Sequence, residues 1–263
     1  MFKREMRVNF KSFVIWTLIL IGLFLIVFLV YPSIMSTGNM AQIDEMMTLF
    51  PPEILKAFNM DLASIDTAFG WLKTEGFVFV LLITGVYSGI LGSNILLKEE
   101  NDKTIEYLNS VLVTRNKIVL SKIMCGITYI ILMVLSLGLF NYIALNLSGD
   151  FDKLLYVLLS ITPIFSSIVI FVFCMFFSTF THKTKKTIGV SLGFVFISYF
   201  LQVIAEMSEA TEALKYLSAF TLADTRNVIV DVAINPIMVA ISVGITCVFV
   251  CLIKSRYNKK ELV

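Results

Sequence analysis

Apolar residues run almost unbroken through six stretches of the chain, roughly 12–31, 77–97, 123–147, 154–180, 188–205 and 237–253. Each is about as long as the 18 or more apolar residues a helix needs to cross a bilayer. The pattern predicts an all-α polytopic membrane protein with six transmembrane helices in one domain over 1–263. Polar connections interrupt it at 32–75, 98–122 and 206–236. Before the first span, Phe2, Met6, Phe10 and Phe13 share one helical face, with Lys3, Arg4, Arg7 and Lys11 opposite. That spacing fits an amphipathic helix lying in the membrane interface, with an irregular basic flank as the alternative.

Pro51-Pro52, followed by Ile54, Leu55 and Phe58, reads as the start of a short amphipathic helix in the first outer segment, one of two expected there. Pro163 is expected to kink the fourth span. Gly85, Gly89 and Gly92 in the second span, and Gly189 and Gly193 in the fifth, have the small-residue spacing that lets helices approach closely in lipid. The segment 206–236 is polar enough to lie outside, with helical pieces.

The chain is 58% hydrophobic and 15% charged, with a mean hydropathy of +0.89, beyond the range of a soluble domain. Yet nine charges fall within the 25 residues 98–122. Each charge at a helix centre costs about 2.5–3.5 kcal/mol, so burying nine in lipid would cost on the order of 25 kcal/mol. This stretch is a loop in water. Placing both termini in the cytoplasm puts 16 of the 21 Lys and Arg residues on that side and 13 of the 19 acids outside, as the positive-inside rule requires. The net charge of +2 hides that asymmetry and implies no nucleic-acid partner. The first apolar run has no small-residue cleavage site and reads as an anchor rather than a cleaved signal.

Candidate chemistry is sparse. Cys125, Cys174, Cys247 and Cys251 all lie within spans and read as small buried hydrophobes. His182 is the single histidine, in the basic loop THKTKK, where a solvated residue is expected and a metal site is not. The mid-span polar residues, among them Thr84, Ser88, Asn141, Ser166, Ser191 and Ser198, are neutral. A proton- or ion-coupled carrier would place ionisable groups there. The chain contains no G-x-x-x-x-G-K-[ST] loop and no Gly-Lys dipeptide, so it carries no recognisable site for ATP hydrolysis. LSGD at 147–150 reads as a tight outer turn.

From Thr104, the positions Ile105, Leu108, Leu112 and Val119 form one helical stripe, with Glu106, Asn109, Ser110 and Lys117 on other faces. Two readings fit: a helix that rests on the membrane and presents polar groups to a cytoplasmic protein, or an ordinary solvated loop helix.

Glu99, Glu100, Thr104, Glu106, Leu108, Ser110, Arg115, and Lys122 after IVLS, match a pattern E-E-x-x-G-T-x-E-x-L-L-S-x-P-x-S-R followed by an aliphatic run and Lys. In this the chain resembles the ABC-2-type exporter permeases, membrane subunits of ATP-driven bacterial exporters. Lys103 replaces the usual Gly, Leu112 the usual Pro, and Thr114 the usual Ser. YLSAF at 216–220 is similar to the LSPF stretch before the last span, with Ala219 for Pro. The resemblance implies a plasma-membrane permease pairing with a second permease copy, identical or not, over separate cytoplasmic ATP-binding subunits that hold ATP and Mg. No cofactor is expected in this chain.

By the same resemblance, Glu99, Glu100, Thr104, Glu106, Ser110 and Arg115 would serve coupling to the ATPase, through a coupling helix near 104–112. Thr84, Ser88, Gly85, Gly89, Gly189, Gly193, Ser191, Ser198 and Gln202, on the second and fifth spans, would line the pathway or the helix contacts. Their small, hydroxyl-bearing character suits an amphipathic or hydrophobic cargo. The alternative is a membrane immunity or assembly protein that binds a peptide or antibiotic without transporting it. Only the permease reading requires an ATPase partner.

Overall fold

The computed structural model describes residues 1–34, 49, 67–101, 114–223 and 225–260. The expected helices after Pro51-Pro52 and the coupling segment 104–112 lie outside the described residues. Among those described, all regular structure is helical. α1 (Phe2–Ile34) is followed by α2 (Ala68–Trp71), which passes through a π-helical turn, Leu72–Gly76, into α3 (Phe77–Ile95). The short α4 (Lys98–Asn101) precedes α5 (Arg115–Ser148). α6 (Lys153–Ile161) and α7 (Pro163–Ser178) meet at Thr162, where Pro163 takes the first-turn position. A proline there lacks only an N–H that has no partner anyway. α8 (Thr184–Met207), two 3₁₀ segments (Glu209–Leu217 and Ala219–Ala223), α9 (Thr225–Asp231) and α10 (Pro236–Lys259) complete the chain. Six of these helical stretches are long and apolar enough to cross a membrane.

Two sequence expectations need correction here. The N-terminal amphipathic stretch is not a separate interfacial helix, because α1 is continuous from Phe2 to Ile34. Its docked face mixes polar and apolar residues: Glu5 and Asn9 are buried and Met6 and Phe13 pack against the core, while Phe2 and Phe10 are exposed. Asn9 Nδ2 donates to the Glu5 carbonyl at 3.0 Å, and Tyr129 OH donates to the Met6 carbonyl. Phe13 stacks on Tyr129 with ring centroids 4.9 Å apart. Secondly, the second membrane-length helix starts near Ala68 rather than at the expected 77.

α7 occupies the centre, packed on α3, α5 and α10. Phe171 of α7 is fully buried and sits where two helices lack side chains. A Cβ on Gly92 of α3 would overlap the Phe171 carbonyl oxygen, and one on Gly126 of α5 would overlap its ring. Gly85 faces the Phe220 ring, whose Cζ would lie 2.8 Å from an added Cβ, and Gly89 faces Val195 of α8. Gly189 and Gly193, by contrast, have open space around them.

Burial separates the helices into two groups. The apolar window is 61% buried in α2–α3 and 56% in α6–α7, but 22% in α8, 17% in α1 and 11% in α10. The outer group presents Leu18, Leu29, Ile197, Phe200, Ile237 and Val248 outward, as lipid contact demands. Cys125 and Cys174 are buried as expected, but Cys247 and Cys251 are exposed on α10. A helix that is apolar all round gives no periodic signal of which face meets protein.

At the end opposite the termini, Gly149 (φ 146°) terminates α5 and Asp152 caps α6, accepting from Leu154 N and Leu155 N at 3.0 Å. Phe69, Tyr142, Phe151 and Tyr156 cluster there, with Phe151 5.6 Å from Phe69 and from Tyr142 and 5.7 Å from Tyr156. Aromatic rings collect at membrane–water boundaries in this way.

The glycine contacts yield a test. Gly92→Ala should destabilise the protein by roughly 1–3 kcal/mol through overpacking against backbone. Gly193→Ala should be neutral or slightly stabilising, since alanine is the better helix former by about 1 kcal/mol. Thermal unfolding in a mild detergent compares the two.

Candidate functional site: an ionic hub at the base of the bundle

The end of the bundle that holds both termini, here called the base, is where the helices outrun the bilayer. α1 has 33 residues and α5 has 34, so each is about 50 Å long at 1.5 Å per residue, against a hydrocarbon core of about 30 Å. Glu5 and Lys122 lie roughly 40 Å along their helices from the opposite ends, at or beyond the edge of that core. Charged groups are affordable there, yet these two are almost wholly shielded, at 2% and 0% exposure.

Lys122 Nζ is 2.8 Å from both carboxylate oxygens of Glu99, 3.2 Å from Glu5 Oε2 and 2.7 Å from the carbonyl oxygen of Ile95. An ammonium has three N–H donors, and three acceptor groups surround this one. Ile95 ends α3, so its carbonyl has no partner within the helix and carries part of the negative end of the helix dipole. One side chain therefore ties α1, α3, α4 and α5 together.

Glu100 performs the matching task on the other side of α4. Its Oε1 accepts from Lys260 Nζ and its Oε2 pairs with His182 Nδ1, both at 2.8 Å. Lys260 Nζ also donates to the Thr181 carbonyl at 2.8 Å. His182 is thus a half-exposed partner of a buried carboxylate, rather than the fully solvated residue expected. Arg115 Nη1 donates to the carbonyls of Lys260 at 2.9 Å and Asn258 at 3.2 Å, covering the open end of α10. Asn258 Nδ2 reaches Asn116 Oδ1 at 2.9 Å, and Asn101 Nδ2 bonds the Leu97 carbonyl at 2.7 Å and the Thr184 hydroxyl.

Of the coupling residues expected from the sequence, Glu99, Glu100 and Arg115 converge on this hub, while Thr104, Glu106 and Ser110 lie outside the described residues. Glu99 and Glu100 are buried and turned into the bundle. Sequence reasoning missed Glu5 and Lys260. Glu5 is the one acid among four basic residues in 1–11, and that isolation was the available signal.

The expected pathway residues gather mainly between α3 and α8. Ser93 Oγ donates to Ser191 Oγ at 2.6 Å beside Gly89. Thr84 is buried and bonds back to the Val80 carbonyl at 2.6 Å. Ser88 and Ser198 are buried, and their hydroxyls have no partner among the described residues. The Ser198 carbonyl accepts from Ser218 Oγ at 2.7 Å, which also caps Phe220 N at 3.1 Å. This bond seats the YLSAF turn and drives Phe220 against Gly85. Gln202 lies farther out, bonded to Glu206 and Thr221 at 2.6 Å each, on the wall of a 400 Å³ cavity that also meets Arg226 and Lys215. A Cβ added at Gly189 or Gly193 would meet nothing within 4 Å. Among the described residues, no cluster of three His, Cys, Asp or Glu side chains has the arrangement to hold a metal.

Six helical stretches long and apolar enough to cross a bilayer, joined at the terminal end by a buried hub, make this a multi-pass membrane protein. The sequence matches the family described as ABC-2 family transporter protein over residues 1–262, and the chain belongs to that family. No curated protein matches it. Permeases of this kind typically have no ATPase domain of their own and generally work with an ATP-binding subunit.

The hub yields a second test. Lys122→Met should cost about 3–5 kcal/mol, because it leaves Glu5 and Glu99 buried without a counter-charge. Adding Glu5→Gln and Glu99→Gln to that variant should recover most of the loss. Melting temperatures of the three-fold and single variants in detergent decide whether charge compensation, rather than packing, is at issue.

Proposed function

We propose that the chain is the membrane-spanning subunit of an exporter in the plasma membrane, with its base in the cytoplasm and its energy supplied by ATP and Mg on a separate subunit. A second permease copy, identical or related, would complete the pathway. The observation that carries this reading is how the segment 102–113 is flanked. Glu99 and Glu100 precede it, Arg115 and Lys122 follow it, and all four are fixed in the hub. A push on that segment by an ATP-driven partner would reach α1, α3, α5, α10 and the turn before α8 together.

In this mechanism Thr104, Glu106 and Ser110 contact the ATPase. Glu99, Glu100 and Arg115 act as positioning residues that hold the segment's two ends. The hub supports force transmission because nearly every donor and acceptor in it is engaged, so displacement at one point strains several helices. The α3–α8 seam, with Ser88, Ser191, Ser198 and Gln202, supplies a neutral lining suited to an amphipathic or hydrophobic cargo. Those four groups are neutral, while Glu206 of α8 bonds Gln202 at its outer end.

The test is capture of the tagged chain from native membranes in mild detergent, followed by mass spectrometry. A soluble subunit bearing a P-loop should accompany it and be lost when Thr104, Glu106 and Ser110 are replaced together by Ala. In reconstituted vesicles, Glu100→Gln should keep the complex assembled but lower transport per ATP hydrolysed severalfold. Isolation of the chain without any ATPase, even after cross-linking, would overturn the reading and favour a non-transporting immunity or assembly protein.

A further inference from the structure

A cleft of about 360 Å³ opens beside the hub, lined by Val8, Lys11, Ser12, Ile15, Trp16 and Lys98. Five of these residues come from α1 at spacings of three and four, so they form one helical face. Lys98 closes the cleft from α4, its Nζ 3.3 Å from the Val8 carbonyl. Among the described residues neither Lys11 nor Lys98 forms an ion pair. The nearest carboxylates in sequence, Glu99 and Glu100, are turned away and already engaged by Lys122, His182 and Lys260. Among the described residues that line it, the cleft therefore presents two ammonium groups and a hydroxyl and no acid.

The rest of its lining is apolar. Trp16 is anchored against Tyr87, ring centroids 6.0 Å apart, at the depth where tryptophan marks the membrane boundary. Beyond it the same face of α1 continues through Ile15, Ile19 and Ile26, all exposed. Gly22, between them, has no neighbour within 4 Å of an added Cβ, which leaves a shallow track. From Trp16 to Ile26 is about 15 Å of helix, the thickness of one leaflet's hydrocarbon. Cations at the headgroup level above an apolar track of one leaflet match a single class of molecule.

We propose that this cleft is a binding site for an anionic phospholipid, with Lys11, Lys98 and Ser12 on the phosphate-bearing headgroup and an acyl chain along Ile15, Ile19 and Ile26. The site is independent of the ATPase reading and needs only that α1 lies in a bilayer. It places a lipid against both α1 and α4, two of the elements joined by Lys122, so lipid charge is positioned to tune the hub.

Trp16 and Trp71 are the only two tryptophans, which makes a local probe available. In a Trp71→Phe variant reconstituted in phosphatidylcholine vesicles, brominated phosphatidylglycerol should quench Trp16 in strong preference to brominated phosphatidylcholine. The preference should approach about 25-fold at low salt, since each lysine near an anionic headgroup contributes about fivefold. Lys11→Gln with Lys98→Gln should abolish it, whereas Lys3→Gln with Arg4→Gln, an equal loss of charge outside the cleft, should leave it. Native mass spectrometry of the wild-type chain should show the same lipid retained, independently of the tryptophan variant. Equal quenching by the two lipids, or equal loss in both double variants, would overturn the proposal. So would reversal by inorganic phosphate, which would assign the site to a soluble anion, or protection of Trp16 from both lipids, which would assign the face to a second copy.

Discussion

Everything at the base of this protein depends on one shielded ammonium. Between helices in lipid the hydrophobic effect supplies little drive, because the surroundings are as apolar as the side chains, so packing and polar contacts decide which helices associate. Lys122 meets two carboxylates and a helix-terminal carbonyl at 2.7–3.2 Å. A buried ion pair is not in itself a large source of stability, because desolvation offsets the attraction. Its effect is on arrangement. Any other register of α1 against α5, or of α4 against either, would leave a charge buried without its partner.

The same logic explains where the basic residues go. Alternating spans bring three helix C-termini to the base, those of α3, α7 and α10, each with unsatisfied carbonyls and a partial negative charge. Lys122 covers the end of α3, Lys260 covers the Thr181 carbonyl just past α7, and Arg115 covers the end of α10. These are among the residues that make the base rich in Lys and Arg. The basic residues at the base thus also cover the open ends of α3 and α10. Glu5, Glu99 and Glu100 balance the three cations, which keeps a closely packed region near neutrality.

The spans were legible because a slab of hydrocarbon imposes a length and an apolarity that few other constraints imitate. The packed faces were not. Cys247 and Cys251 lie in a run as apolar as that of Cys125 and Cys174, yet they face outward, since lipid and protein neighbours select the same residue types. Gly92 lies against the Phe171 carbonyl, whereas a Cβ at Gly193 would meet nothing within 4 Å in this chain, for spacing states a possibility and the neighbouring helix decides it. At the hub, Glu99, Glu100 and Arg115 stood out through the resemblance, whereas Glu5 and Lys260 looked like ordinary flanking charges. They become hub residues only when segments more than 90 positions apart meet, which no local period records.

The two halves of the molecule differ in how their polar groups are satisfied, and the difference has a mechanical meaning. At the base, Lys122, Glu100, Lys260 and Arg115 each hold more than one partner, so sliding any helix there breaks several charge-assisted bonds at once. Around the α3–α8 seam, Ser93–Ser191 is a single neutral hydrogen bond, while Ser88 and Ser198 are buried hydroxyls without partners among the described residues. Interhelical hydrogen bonds of that kind are worth about 0.6 kcal/mol on average, and unpaired buried hydroxyls gain if the seam admits water or a polar group. Strain entering at the base would therefore leave the hub intact and relax where resistance is least, in the middle of the bundle. Under the proposed export mechanism, that division would give a stiff foot to receive force and a yielding interior for the cargo.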